Sequence, residues 1–187
     1  TLPEISTIAD GTAVQTPGDK LFPYLQANVD EVLTIDDSEL TFSFLDMAEN
    51  HKMIVENSGL LTVSALKHLE FKNKKVVSVL SGGNMDVLTM ATMVQNGLMQ
   101  RDRIFTVSVM LPDKPGQLAA VSALIAKLQG NVIKLDHNVF ANVNRAAGVQ
   151  LTITMESFGT DHKNQIVQAL KDAGYQTEVA RTSRIYM

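Results

Sequence analysis

The sequence predicts a mixed α/β (α+β overall) chain in two parts: a helix-and-buried-strand segment over residues 1–100, then a ferredoxin-like βαββαβ unit over residues 101–187. Three observations carry this. Val76-Val77-Ser78-Val79-Leu80 is a continuous apolar run closed by Ser81-Gly82-Gly83-Asn84, the pattern of a strand covered on both faces that turns into a helix. Phe105, Val107, Val109 and Leu111 alternate with Thr106, Ser108 and Met110, and Val149, Leu151, Ile153 and Met155 alternate with Gln150, Thr152, Thr154 and Glu156, the period of half-buried strands. Between these two runs, Leu118, Val121, Leu124, Ile125 and Leu128 follow the 3.6-residue period of an amphipathic helix.

In the first part, Pro17-Gly18 interrupts the chain and a short helix is expected over Leu21 to Val29. Val32 to Ile35 reads as a strand. Asp36, Asp37 and Ser38 are N-cap residues for a helix with Leu40, Phe44 and Met47 inward. A further helix is expected from Ser58 to Leu69, and a last one stops at Asn96-Gly97, where glycine takes the left-handed conformation. The second part adds a Pro112-to-Gly116 turn and a stop at Gly130. A strand follows from Val132 to Phe140, with Ile133, Leu135 and Val139 on one face. Asn142 to Arg145 forms a loop. Next comes a helix with Ile166, Leu170 and Ala173 inward, then a stop at Gly174 and a final strand from Tyr175 to Val179. Such a sheet carries helices on one face only, so its edges call for pairing with a second copy.

Composition narrows the function. With 16 Lys and Arg against 20 Asp and Glu, the net charge is −4, which excludes a general phosphate-backbone binder. No apolar run reaches the ~18 residues of a membrane span, and the N-terminus lacks the pattern of a signal peptide. Cysteine is absent, so disulfides and thiolate metal sites are excluded and the cytoplasm is the expected compartment. No His and carboxylate set has metal-ligand spacing, so no metal is expected. His137 reads as a sheet-end or interface histidine; His51, His68 and His162 read as surface. The nine methionines read as core filler.

The Ser81-Gly82-Gly83-Asn84 turn is the strongest candidate site, because ligands of open α/β sheets sit beyond the carboxyl ends of strands and glycines admit a close ligand. Read alone, it is equally an ordinary strand-to-helix turn. Ala9-Asp10-Gly11 and Val55-Glu56-Asn57-Ser58-Gly59 each pair an acid with a glycine and, read alone, are turns or caps.

Taken in order, Ser6 to Gly11, Val29 to Val32, Val55 to Gly59 and Val76 to Asn84 resemble the C-terminal part of the fold-type II catalytic domain of pyridoxal-phosphate-dependent threonine/serine dehydratases (threonine ammonia-lyases). The Asp113-Lys114-Pro115-Gly116-Gln117-Leu118 turn inside the βαββαβ pattern resembles an ACT domain, an amino-acid-sensing regulatory module. The resemblance implies a parent enzyme that deaminates L-threonine to 2-oxobutanoate, and L-serine to pyruvate, releasing ammonia, with pyridoxal 5'-phosphate as cofactor. It implies that Ser81 hydrogen-bonds the pyridine nitrogen as a neutral partner. Gly82 and Gly83 then give the ring room, Asn84 braces the turn, Ala9, Asp10 and Gly11 line the cofactor-side wall, and Glu56 lies near the ring. In the ACT part it implies an effector site at Asp113, Pro115, Gly116, Gln117 and Leu118, and assembly into a homo-oligomer through ACT pairing.

Two parts of the family pattern are missing. No lysine here stands in the context of the Schiff-base lysine, and no glycine run longer than Gly82-Gly83 exists to cradle a phosphate. The chain is therefore expected to be a catalytically inactive fragment, whose first hundred residues, lacking the strands that flank Val76 to Leu80, are partly ordered or captured by another copy. The alternative is a non-catalytic amino-acid-binding or dimerisation ACT module.

Overall fold

The computed structural model describes residues 1–138 and 148–180. It divides into two compact units, Thr1–Gly97 and Leu98–Met187.

The first unit is helical. α1 spans Phe22–Asn28, with Pro23 in its first turn. α2 spans Asp37–Asp46 behind the N-cap Asp36, and Glu39 Oε1 accepts the Asp36 N–H at 3.4 Å, the return half of a capping box. A π-helical turn, Met47–His51, ends at Lys52 in the left-handed conformation. Over residues 58–68 the expected single helix is instead three short pieces: a 3-10 turn at Ser58–Leu60, α3 at Leu61–Ser64, and a 3-10 turn at Ala65–His68. α4 spans Val87–Gln100. The core gathers Ala9, Leu40, Phe44, Met47, Val55, Leu60 and Met93.

Two expected strands of this unit do not form. Val32 to Ile35 and Val76 to Leu80 carry no ladder, and Val32 and Val77 are 83% and 88% exposed. A strand needs neighbours to satisfy its backbone groups, and among the described residues of this unit no segment pairs with either run. Gly97 does not end its helix. It lies within α4, where a Cβ would come 3.1 Å from Leu45 Cβ, so the missing side chain serves close packing instead. The stop comes at Asp102, left-handed at φ 54°, where Asp102 N–H and Arg103 N–H reach back to the carbonyls of Met99 and Leu98.

The second unit has the predicted order: β1 (Ile104–Leu111), α5 (Gln117–Lys127), β2 (Asn131–Asn138), β3 (Val149–Glu156), α6 (Thr160–Asp172) and β4 (Gln176–Val179). These make one four-stranded antiparallel sheet in the order β2-β3-β1-β4. Alternation explains the core: Phe105, Val107, Val109 and Leu111 of β1 and Leu151, Ile153 and Met155 of β3 meet Val121 and Ile125 of α5 and Ile166, Val167 and Leu170 of α6. Ala173, expected inward, is the exposed C-cap of α6, and Val167 takes that place in the core. Gly174, left-handed at φ 88°, stops α6 as predicted, with Tyr175 N–H bonded to Leu170 O. At the end of α5, Gln129, not Gly130, takes the left-handed position (φ 63°), and Gly130 N–H bonds to Ile125 O.

In β2 a bulge falls between Val132 and Lys134, so Ile133 is the extra residue. This shifts the expected face: Val132, Leu135 and His137 oppose the core residues Met155, Ile153 and Leu151. Val139, Phe140 and the 142–145 loop lie outside the described residues.

Candidate functional site

Three sequence-distant motifs of the first unit converge. The segment entering Ala9-Asp10-Gly11 is held from two sides. Asp37, in the first turn of α2, accepts Thr7 Oγ1 at 2.6 Å and Ile8 N–H at 3.0 Å, and Asn57 Nδ2 donates to Ile8 O at 2.9 Å. This brings Gly11 against the 56–58 segment, where a Cβ on Gly11 would lie 2.7 Å from Ser58 Oγ and 3.7 Å from Glu56 Oε1. Glu56 reaches the third motif. Its Oε2 accepts Asn84 N–H at 3.2 Å, and its backbone N–H donates to Gly82 O at 3.4 Å. Gly82 is left-handed (φ 77°), and a Cβ there would land inside the Glu56 carboxylate; a Cβ on Gly59 would land on the Ser81 carbonyl. Glycine is therefore favoured by contact at both positions, and at Gly82 by backbone angle as well.

Ser81, Gly82, Gly83 and Asn84 are exposed, and the only atom a Cβ on Gly83 would approach is Ile54 O, 3.9 Å away. Glu56 is half-buried beneath them. Ala9 is 2% exposed and belongs to the core. Asp10 turns back on Gly11 N–H at 2.8 Å and lines a separate cleft of about 610 Å³ with Thr7, Asp37, Asn57, Thr89 and Asn96. The sequence marks Asp37 only as a helix-cap residue and Asn57 and Ser58 only as members of a short motif; their places here depend on long-range contacts. The hydroxyl of Ser58 and the amide oxygen of Asn57 are buried without a hydrogen-bond partner.

A serine on an exposed glycine turn has the chemistry to hydrogen-bond a neutral aromatic nitrogen such as that of pyridoxal phosphate, and a Cβ on Gly83 would approach nothing nearer than 3.9 Å. Among the described residues nothing offers the cluster of convergent backbone N–H groups that a phosphate requires.

In the second unit, the turn after β1 opens a cleft of about 740 Å³ lined by Asp113, Lys114, Gln117, Gly148, Tyr175 and Gln176, among others. Tyr175 OH donates to Gln117 Oε1 at 3.3 Å. Of the predicted effector residues, Asp113 and Gln117 line this cleft. Pro115 and Gly116 (φ 88°) shape the turn, and Leu118 packs on the core. Lys114, which the sequence places in the turn but not in the effector set, joins this lining, as do Gly148 and Tyr175.

Residues 1–82 match the family described as "Pyridoxal-phosphate dependent enzyme". The match spans 82 of the 187 residues, and the cofactor named in that family's description is pyridoxal phosphate. The likeness to threonine ammonia-lyases runs on through the sheet. The chain is 31% identical over 182 residues to the L-threonine ammonia-lyase of Geobacter sulfurreducens, covering 96% of this chain and 45% of that protein. It is 31% identical over 174 residues to the L-threonine ammonia-lyase of Thermotoga maritima, covering 92% of this chain and 43% of that protein. The chain thus spans less than half the length of these curated relatives. Among solved structures, a prephenate dehydratase from Staphylococcus aureus aligns with 41% of this chain and 28% of its own, at 17% identity and a TM-score of 0.34. Among the described residues no helix is long and apolar enough to cross a membrane, and no His, Cys, Asp and Glu group forms a metal site.

Proposed function

We propose that the chain is the C-terminal portion of a threonine dehydratase. The complete polypeptide converts L-threonine, and L-serine as a second substrate, to 2-oxobutanoate or pyruvate and ammonia, in amino-acid biosynthesis or catabolism in the cytoplasm. The observation that carries this reading is the meeting of Gly11, Glu56 and the Ser81–Asn84 turn at one place, in a chain similar to threonine ammonia-lyases over nearly its whole length. Pyridoxal phosphate, when bound, supplies the electron sink for loss of an α-proton and a β-hydroxyl.

On this reading Ser81 holds the ring nitrogen. A hydroxyl is a neutral partner, so it orients the ring without fixing a proton on that nitrogen. Gly82 and Gly83 keep the backbone low beside the ring edge. Asp10 and Gly11 wall the cofactor side, while Ala9 serves that wall only through the core. The anchoring lysine and the phosphate cradle belong to other polypeptide, and the 187 residues by themselves are inactive.

The βαββαβ unit takes an amino-acid effector and pairs with a second copy to form a homo-oligomer. Support for the effector comes from the juxtaposition in one cleft of a carboxylate (Asp113), an ammonium (Lys114) and an amide (Gln117), groups complementary to both ends of an amino acid. Asp113 accepts from an ammonium but offers no donor to a carboxylate; Lys114 and Gln117 supply that donor.

The test is a titration of the ¹⁵N-labelled chain with pyridoxal phosphate, followed by borohydride reduction. Amide shifts at Ser81, Gly82 and Gly83 without stoichiometric labelling of any single lysine are expected. Shifts confined to the lysine-rich residues 72–75, or one lysine fully labelled, would overturn the reading.

A further inference from the structure

We propose that Glu56 is a positioning residue: it fixes the Ser81–Asn84 turn, and through it the Ser81 hydroxyl, while making no contact of its own with the ligand. The inference rests on the reading of Ser81 as the ring-nitrogen partner.

The turn needs an external support. It is exposed throughout, and it follows the apolar run Val76 to Leu80, which has no sheet to stiffen it. Among the described residues, its tertiary hydrogen bonds come from Glu56. The Glu56 carboxylate accepts Asn84 N–H, and the Glu56 N–H donates to Gly82 O. The carboxylate also fills the volume above Gly82 that a side chain there would take.

Glu56 can transmit rigidity because its neighbours are anchored. Val55 is 3% exposed, Asn57 7% and Leu60 0%, and Asn57 ties the same segment to Ile8. With one oxygen committed to Asn84 and the carboxylate wedged between Gly11 and Gly82, the side chain works as a strut between core and turn. Reach is therefore its essential property. Aspartate, one methylene shorter, keeps the charge and loses Asn84; glutamine loses the charge and keeps an acceptor at the right distance.

The experiment measures amide hydrogen exchange at Asn84, and the Ser81 amide shift induced by pyridoxal phosphate, in the 187-residue chain and in Glu56→Ala, Glu56→Asp and Glu56→Gln. Exchange at Asn84 is expected to rise about tenfold in the Ala and Asp variants and to stay within about threefold of the parent in the Gln variant. The shift at Ser81 should weaken in the first two and persist in the third. A general loss of stability would not produce this order, and the Gln variant keeps the test open if the Ala variant fails to fold. An Asp variant that behaves like the parent, or a Gln variant that behaves like Ala, overturns the proposal, because charge and not reach would then matter. If the order holds at Asn84 but pyridoxal phosphate moves no Ser81 signal in the parent, the hold of Glu56 on the turn stands and the ring-nitrogen reading falls.

Discussion

His162 Nε2 lies 2.6 Å from the carbonyl oxygen of Leu128, which joins the first turn of α6 to the C-cap of α5. A carbonyl only accepts, so Nε2 is the donor. The other ring nitrogen receives Phe158 N–H at 3.0 Å, and the ring stacks on Phe158 with centroids 4.8 Å apart. Sequence reading put His162 on the surface, yet it closes the β3–α6 turn. His162→Ala is expected to destabilise the second unit by about 1–3 kcal/mol, the range for lost hydrogen bonds that leave backbone groups unpaired. His162→Phe should recover only the stacking part. Urea unfolding of the two variants checks this; equal stability of His162→Ala and the parent would refute it.

Two glycines with similar backbone angles should respond differently to alanine. At Gly174 (φ 88°) a Cβ meets nothing within 4 Å, so Gly174→Ala carries only the left-handed penalty, about 1–2 kcal/mol. At Gly82 (φ 77°) the same penalty is joined by collision with the Glu56 carboxylate. Gly82→Ala should therefore disturb its surroundings more, and Glu56→Ala added to it should restore part of the loss. A double-mutant cycle by thermal unfolding reads this coupling, and strict additivity would contradict the packing.

The cleft after β1 gives a ligand test. If an amino acid binds there, a concentration one hundred times its dissociation constant stabilises the second unit by about 2.7 kcal/mol. Asp113→Ala together with Lys114→Ala should abolish the rise in melting temperature while leaving the unliganded value close to that of the parent, since both residues are exposed. A rise that survives the double variant places the ligand elsewhere.

Acid should loosen the start of α2. The hydrogen bond from His68, at 2.8 Å, holds the Glu39 carboxyl below its ordinary value of 4.5, aided by the Asp36 N–H. A carboxyl depressed in the folded state stabilises fully above its unfolded value, and that contribution is lost as pH falls through the folded value. Glu39→Gln should therefore be less stable than the parent near neutral pH, and the gap should close below the ordinary value. Urea midpoints for both chains from neutral to acid pH measure this; a gap independent of pH would be inconsistent with the pairing.

The two halves of the chain differ in how far their sequence could be read. In the second unit the alternation of Val107, Val109, Leu151 and Ile153, and the helical spacing of Val121, Ile125, Ile166 and Leu170, marked each buried face in advance. Every partner those residues need lies within the same unit. Errors there were local: Ile133 left its expected face because one bulged residue shifts the alternation. In the first unit Val32 to Ile35 and Val76 to Leu80 read as strands and remain unpaired, because a ladder depends on other segments that a local pattern cannot supply.

By itself the sequence determined which side chains are apolar, that a helix starts behind Asp36 and another stops at Gly174, and which short motifs occur in which order. Only tertiary structure decided that Gly11, Glu56 and Gly82 meet, that Asn57 and Asp37 hold Ile8 in place, and that Gly97 serves packing and not termination. The physical reason is range. Periodicity and capping act over a few residues, whereas the fit of the Glu56 carboxylate over the sequence-distant Gly82 depends on how the whole core is packed.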